Sequence, residues 1–339
     1  RDWYKIMKLS KLVHKHIKAN SSYLWPLFKN DCQDSMVGVP AISNLLYFNL
    51  FENAMILLPT QKRGCYLQEN QGWEFGFISA WQAAGHNKNL TGLPTAAIIY
   101  WDLRNFFDPR SYKRKNEGDL PLPKYVGVNG DPSKQTYLNG GYPSEGLIEL
   151  ESLRYLYLHN FPNYPDKKIH DKLKAIRVLV AGDYLRENTY KQLSLLSSVI
   201  KDIDQSVSFI IKPHPACPIN MEDFPNLRGE LSTRPIEELI KISDIMYSSL
   251  ITSAAIDAFS VGLPVITFLD GETLNMSPLR GVEGVYFVKN SKDLFDAINT
   301  IGEDNLGKKR NYFYLNPSLP RWHKWLLDDF KKIKNEFIS

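Results

Sequence analysis

The feature that most restricts the fold of this chain is an alternation of short apolar runs with helix-period segments, which starts afresh halfway along. In the later stretch, Arg177–Val180, Ser208–Ile211, Ile245–Tyr247, Pro264–Phe268 and Val285–Val288 have the length and make-up of buried strands. Thr189–Ile200, Ile236–Ile242, Thr252–Val261 and Ser291–Ile301 carry helical spacing. Strands separated by helices of this length imply right-handed βαβ units and a parallel sheet. The earlier stretch repeats the pattern with strands at Cys65–Gln68, Ala96–Tyr100, Tyr125–Val128 and Leu147–Leu150, and helices at Ala41–Leu57, Trp73–Ala84 and Pro132–Leu138. The expected architecture is α/β: two Rossmann-like domains facing a cleft, residues 1–160 and 174–321, joined through the apolar-poor stretch His159–Lys172. A final helix, Trp322–Phe337, is expected to pack back across the junction.

A length of 339 residues suits two such domains. No apolar run approaches the ~20 residues of a membrane span. The longest candidate, Leu45 to Leu58, is interrupted by Asn49, Glu52 and Asn53 and reads as a buried helix. Cys32, Cys65 and Cys217 are far apart and odd in number, so they outline no disulfide framework. With no apolar h-region opening the chain, this points to a cytoplasmic location. The chain opens with Arg1, which leaves a preceding segment open. A net charge of +4 does not by itself imply nucleic acid. Lys5, Lys8, Lys11, Lys15 and Lys18 recur at helical spacing, either a solvated face or a peripheral contact with an anionic inner-membrane surface.

Ligands of open α/β sheets sit beyond the carboxyl ends of the strands. Three segments of the later block fall there. Lys212, Pro213, His214 and Pro215 follow a strand directly; a His between two prolines has little backbone freedom, and its imidazole can donate to a phosphate beside the Lys212 charge. Ser248, Ser249, Thr252 and Ser253 lie between a strand and a helix, where hydroxyls and free N–H groups suit an anion or simply a cap. Gly262-Leu263-Pro264 is a structural helix stop. Asp183, in an Ala-Gly-Asp-Tyr loop after the first strand of this block, faces the same crevice. No GxGxxG, P-loop or metal-spaced His/Cys cluster occurs, so neither a metal nor a bound cofactor is expected. The acidic pair Asp328–Asp329 reads as a solvated face.

In this order, Lys-Pro-His-Pro, then Ser-Asp-Ile-x-Tyr-Ser-Ser over 243–249, then Gly-x-Pro-Val-Ile over 262–266, the segments resemble the nucleotide half of GT-B enzymes that use CMP- or CDP-linked donors. Those include bacterial sialyltransferases, Kdo transferases and CDP-glycerol glycerophosphotransferases. The resemblance implies a GT-B fold, with His214, Ser248 and Ser249 holding the CMP phosphate. Pro235 and Glu237 match a Pro and a Glu ahead of the serine pair, and Glu237 would then hold the ribose hydroxyls. In the earlier block, 69–74, 100–104, 128–130 and 153–155 resemble a group of bacterial surface-carbohydrate biosynthesis proteins. Together these imply a metal-independent glycosyltransferase of capsule or lipopolysaccharide assembly. It would move an acidic keto-sugar, Kdo or a nonulosonic acid, from a CMP donor to a glycan or lipid-linked glycan. A CDP-glycerol-type phosphotransferase, a UDP-sugar epimerase of the same fold and a catalytically inactive glycan-binding subunit are the alternatives.

Glycosyl transfer needs a carboxylate near the anomeric carbon, as base or as nucleophile. The candidates are Glu69 after the first strand, Asp102 with Arg104 two residues on, and Glu74, for which helix capping is an equal reading. The acidic-acidic-Gly motif that carries the catalytic Asp in the sialyltransferases does not occur here. Ser35 and Gly38, in an expected loop with Asp31 and Asp34, and Arg104 are candidate acceptor contacts. Trp25, Trp73, Trp81 and Trp101 offer faces for sugar rings or are core. Arg110 with Lys113, Arg114 and Lys115 forms a basic loop.

Overall fold

A computed structural model describes residues 2–20, 22–86, 89–99, 101–112, 120–161, 176–301 and 310–327. The basic loop 113–115, most of the stretch read as the linker, and Asp328–Asp329 lie outside the described residues. Two compact units interleave along the chain rather than meeting at one break near residue 160. One comprises Arg1–Pro94, Arg104–Gly127 and Gly140–Ile148; the other comprises Thr95–Leu103, Val128–Asn139 and Glu149 onward.

The first unit opens with helices α1 (Asp2–Asn20), α2 (Trp25–Val37) and α3 (Val39–Leu57). These lead into the sheet strands β1 (Gly64–Leu67), β2 (Leu90–Leu93), β3 (Tyr125–Val128) and β4 (Leu147–Glu149), ordered 1-2-3-4. β1/β2 and β2/β3 run parallel. Helix α4 (Gly72–Ala83) follows β1 and buries Ile78, Ala80 and Trp81 with Met55 and Leu90. Two readings need correction here. The second strand is Leu90–Leu93, not 96–100. Pro94 follows β2 directly, and the apolar run beyond it is not a strand: Ile98 is buried and Ala97 packs against the second unit's core. Apolar content there reflects burial, not strand pairing. Helix α3 is not a buried helix either: only Ala41 and Met55 of it are buried, while Val39, Ile42, Leu46, Leu50 and Leu57 are exposed. Its opposite face, through Phe51, Ala54 and Met55, packs into the α4 cluster.

The second unit holds β5 (Arg177–Ala181), β6 (Ser208–Lys212), β7 (Glu230–Leu231), β8 (Ile245–Ser248), β9 (Val265–Phe268) and β10 (Val285–Val288). All recorded pairs in this sheet are parallel, in the order β10-β9-β8-β5-β6-β7. Counted within the unit, that is the doubly wound order 3-2-1-4-5-6, whose direction reverses between β5 and β8. Strands with both faces covered read as apolar runs, and Val178, Leu179, Val180, Met246, Tyr247, Val265 and Ile266 are buried here. Helices α6 (Arg186–Val199) and α9 (Ser291–Thr300) cover one face through Leu193, Leu196, Leu294 and Ile298. Helices α7 (Ile236–Ile242) and α8 (Ala254–Ser260) cover the other through Leu239, Ile240, Ile256 and Phe259.

The unit also takes in α5 (Asp131–Asn139) and the segment from Arg310. The backbone of Gly130 passes so close to the Tyr312 carbonyl oxygen that a Cβ there would sit 2.0 Å from it, which only glycine permits. The N–H of Tyr314 donates to the carbonyl of Asn129 (2.9 Å), and that of Ser152 donates to the carbonyl of Tyr314 (2.9 Å). The helical residues 320–327 start on Glu151, whose side chain is fully buried. Its carboxylate accepts from the backbone N–H groups of Arg321 and Trp322 and pairs with the Arg321 guanidinium, each at 3.2 Å.

Candidate functional site

Because β5, β6, β8 and β9 are parallel, the residues following each emerge along one edge of the sheet. The switch point between β5 and β8 is where such a sheet opens a crevice. The first of these loops turns tightly at Gly182, where a Cβ would meet the Thr189 side chain at 2.9 Å. Asp183 is then buried, and its carboxylate accepts from the Leu185 N–H (2.7 Å), Asn188 Nδ2 (3.3 Å) and the Ser249 hydroxyl (2.6 Å). It thus ties the end of β5 to the end of β8 instead of facing the crevice, which corrects its reading as a ligand contact.

The serine pair is likewise turned inward. Ser248 is fully buried, with its hydroxyl 3.0 Å from Thr267 Oγ1 and 3.3 Å from the Ile266 carbonyl of β9. Ser249 donates to Asp183, and its N–H donates to the Ala181 carbonyl (2.8 Å). Their side chains therefore hold strand ends together. The next two hydroxyl residues precede α8, which begins at Ala254 and not at Thr252. Thr252 is half-buried and accepts from the Ala254 N–H (3.4 Å); Ser253 is exposed and makes no side-chain cap.

His214 stands at the end of β6, half-buried. Its Nδ1 accepts from the Ala216 N–H at 3.1 Å. Backbone N–H is a donor only, so in the neutral ring the proton is assigned to Nε2, which is left as the donor. Tyr184, from the β5 loop, packs edge-on to the imidazole at 6.2 Å. Lys212 donates to the Thr233 carbonyl (3.1 Å), and Pro215 is exposed. Glu237 is exposed in the first turn of α7.

At the ends of β8, β9 and β10 lies a cavity of about 330 Å³ lined by Trp101, Leu250, Leu269, Asp270, Arg280 and Lys289, among others. The Arg280 guanidinium lies 5.5 Å from the centre of the Trp101 ring, a cation–π distance. Burial pushes the Asp270 pKa up, but hydrogen bonds from Thr273 and Glu272 and the Lys191 charge 3.7 Å away outweigh it and hold the carboxyl below its ordinary value. Arg280 and Lys289 are thus two cations over a strand-end hollow with one aromatic wall. Trp101 was legible as a stacking candidate; Arg280 and Lys289 were missed, since nothing in their local sequence sets them apart from surface cations.

A second missed residue is Asp257 on α8, buried with Oδ1 unpartnered among the described residues. Burial raises its pKa to about 7, even though a hydrogen bond from Tyr157 and the nearby Arg154 charge act the other way; Glu237 adds to the rise.

In the first unit, Glu74 is buried and spent. Its carboxylate accepts from the N–H groups of Glu69 (3.0 Å), Asn70 (3.0 Å) and Gln71 (3.2 Å), completing a capping box with Gln71 at the start of α4. The catalytic reading of Glu74 is corrected to a cap. Glu69 is exposed at the end of β1, beside Asn70 in the left-handed region (φ 56°). Asp102 is half-buried, with its N–H donating to the Ile99 carbonyl (3.0 Å), and Arg104 is exposed. Ser35 is not in a loop but within α2, and Gly38 is the single residue between α2 and α3, its N–H donating to the Asp34 carbonyl. Trp25 packs on Phe28 and His14, Trp73 lies against Tyr47 and Phe51, and Trp81 is core.

No protein-family model and no curated protein matches the sequence. Solved structures do match the fold. A UDP-GlcNAc 2-epimerase from Methanocaldococcus jannaschii aligns at a TM-score of 0.54 and 11% identity, covering 84% of this chain and 82% of its own. The UDP-GlcNAc 2-epimerase from Neisseria meningitidis, bound to UDP-GlcNAc, aligns at 0.50 and 12%, covering 88% and 84%. Two parallel sheets with this strand order and this likeness define a GT-B fold.

Proposed function

We propose that this chain is a glycosyltransferase drawing its sugar from a pyrimidine nucleotide donor held along the C-terminal edge of the β5–β10 sheet. The observation that carries the reading is the cavity at that edge, with Arg280 and Lys289 as cations and Trp101 as a flat wall. A nucleotide sugar offers what those groups recognise: phosphate charge and a ring face. His214 supplies a further donor through Nε2. Asp183, Ser248 and Ser249 position the loops that carry these groups. Transfer forms a bond from an acceptor hydroxyl oxygen to the anomeric carbon as the bond to the donor phosphate breaks. Glu69, the exposed strand-end carboxylate, is the proposed acceptor of the hydroxyl proton, with Asp102 as its alternative.

For the donor, the Lys-Pro-His-Pro and serine-pair motifs favour a CMP-linked acidic keto-sugar, whose carboxylate would add to the demand for Arg280 and Lys289. The likeness to proteins titled UDP-GlcNAc 2-epimerases favours a UDP-sugar instead. Calorimetric titration with CMP, CDP, UDP and GDP decides between them. Cytidine selectivity supports the keto-sugar reading, a UDP preference replaces it, and no binding to any of the four overturns the proposal.

A further inference from the structure

The first unit carries a surface that the proposed sugar chemistry leaves unexplained. Helix α1 places Lys5, Lys8, Lys11, Lys15 and Lys18 at spacings of three and four, one face of a helix, and all five are exposed. Lys5 pairs with Asp2 at 3.0 Å, the only carboxylate in the helix. Among the described residues, Lys8, Lys11, Lys15 and Lys18 have no carboxylate partner. The same face carries apolar side chains: Tyr4 (59% exposed), four residues before Lys8, and Leu12 (66% exposed), four residues after it. Leu9 is 54% exposed, three residues before Leu12, and Lys8 lies over the Tyr4 ring at 4.7 Å. The turn into α2 adds Tyr23 and Leu27, each 79% exposed. The helix's other side, through Ser10 and the half-buried Ile6, Val13 and Ile17, is turned inward.

We infer that the outward face of α1 docks on an anionic lipid surface. The charge is complementary: unpaired ammonium groups meet lipid phosphates while their stems leave the heads at the headgroup level. The tyrosine and leucines between them gain by entering the acyl boundary, a gain that a polyanion in water would not give. A second copy of the chain would instead bring five lysines against five lysines across a two-fold axis if α1 met α1. Among the described residues no helix is long and apolar enough to cross a membrane, so the contact is a lying-on, not a span.

The test is co-sedimentation of the full chain with vesicles of equimolar phosphatidylglycerol and phosphatidylcholine, against vesicles of phosphatidylcholine alone. Binding is expected only to the anionic vesicles and should fall steeply with added salt. Each lysine near an anionic surface contributes about 1 kcal/mol, roughly fivefold in affinity, so Lys8→Gln/Lys11→Gln/Lys15→Gln should weaken binding about a hundredfold. Tyr4→Gln/Leu12→Gln should weaken it at unchanged charge. All positions are exposed, and circular dichroism checks that α1 stays folded. Failure to sediment, equal partition to uncharged vesicles, or no effect of the lysine variant overturns the inference. So does a dimer by light scattering that dissociates on Tyr4→Gln/Leu12→Gln, which would make a second copy the occupant.

Discussion

Asp257 is held in a place that disfavours its charge, and that sets a pH dependence with a definite sign. With a folded-state pKa of about 7, against an ordinary carboxyl value, only the folded chain keeps the proton in the interval between them. Stability is therefore greatest below that interval and falls as pH rises through about 7, because the unfolded chain then releases a proton the folded chain retains. Asp257→Asn should remove this slope. Its melting temperature should gain on the parent as pH is raised from about 5 to about 8.5, by an amount equivalent to roughly 3 kcal/mol; a parallel pair of curves would show that Asp257 titrates normally. At His214 the expectation concerns binding. His214→Ala should weaken CMP affinity by about 1–3 kcal/mol in calorimetry, as for loss of a charge-assisted hydrogen bond, and unchanged affinity would remove it from the site. Glu69 and Glu74 separate cleanly, although only five residues apart. Glu69→Gln should abolish transfer with stability and nucleotide affinity kept. Glu74→Ala should cost about 2 kcal/mol of stability, since it strips the α4 cap and leaves three N–H groups unpaired.

Among the elements, the strand ends act together. Tyr184 links the β5 loop to His214, Asp183 links it to Ser249, and the cavity spans the ends of β8, β9 and β10. If that row is the donor site, Arg280→Gln should lower nucleotide-sugar affinity at least tenfold while leaving the fold intact, its guanidinium being held over Trp101 and not inside the core. An unaltered affinity would move the donor off the cavity. This row also shows what a linear reading catches. β5, β6 and β8 to β10 were legible because a strand covered on both faces must be a short apolar run. The Ser248–Ser253 segment was legible as a strand-to-helix passage, but not the direction its hydroxyls take. Ser248 turns to Thr267 and Ser249 to Asp183, and both choices depend on which strands become neighbours. Trp101 and Arg280 come together from a separation no local pattern encodes. The apolar run after Pro94 failed as a strand for a related reason, since burial against another element and pairing in a sheet leave the same composition. Exposed α3 failed oppositely: its apolar stripe is real, yet half of it covers nothing among the described residues.

Over the whole molecule, a donor bound at the β5–β10 edge should protect one unit selectively. Hydrogen exchange with saturating cytidine nucleotide is expected to slow in 181–189, 212–217 and 248–253, with little change in 64–67 and 90–93. Uniform slowing would mean the nucleotide acts on global stability alone. One further consequence follows from Glu151. Its buried carboxylate is answered by Arg321 and by the N–H groups of Arg321 and Trp322, some 170 positions later. On a ribosome, the second unit therefore cannot close as its sheet emerges. From the time residue 151 leaves the tunnel until residue 322 does, that carboxylate must stay in water, and the Gly130 passage must wait for Tyr312. The stretch around Tyr312 and Arg321 is thus the one that permits completion of the unit. Nascent chains stalled before Arg321 should resist protease poorly, and those released past Trp322 should become resistant in one step.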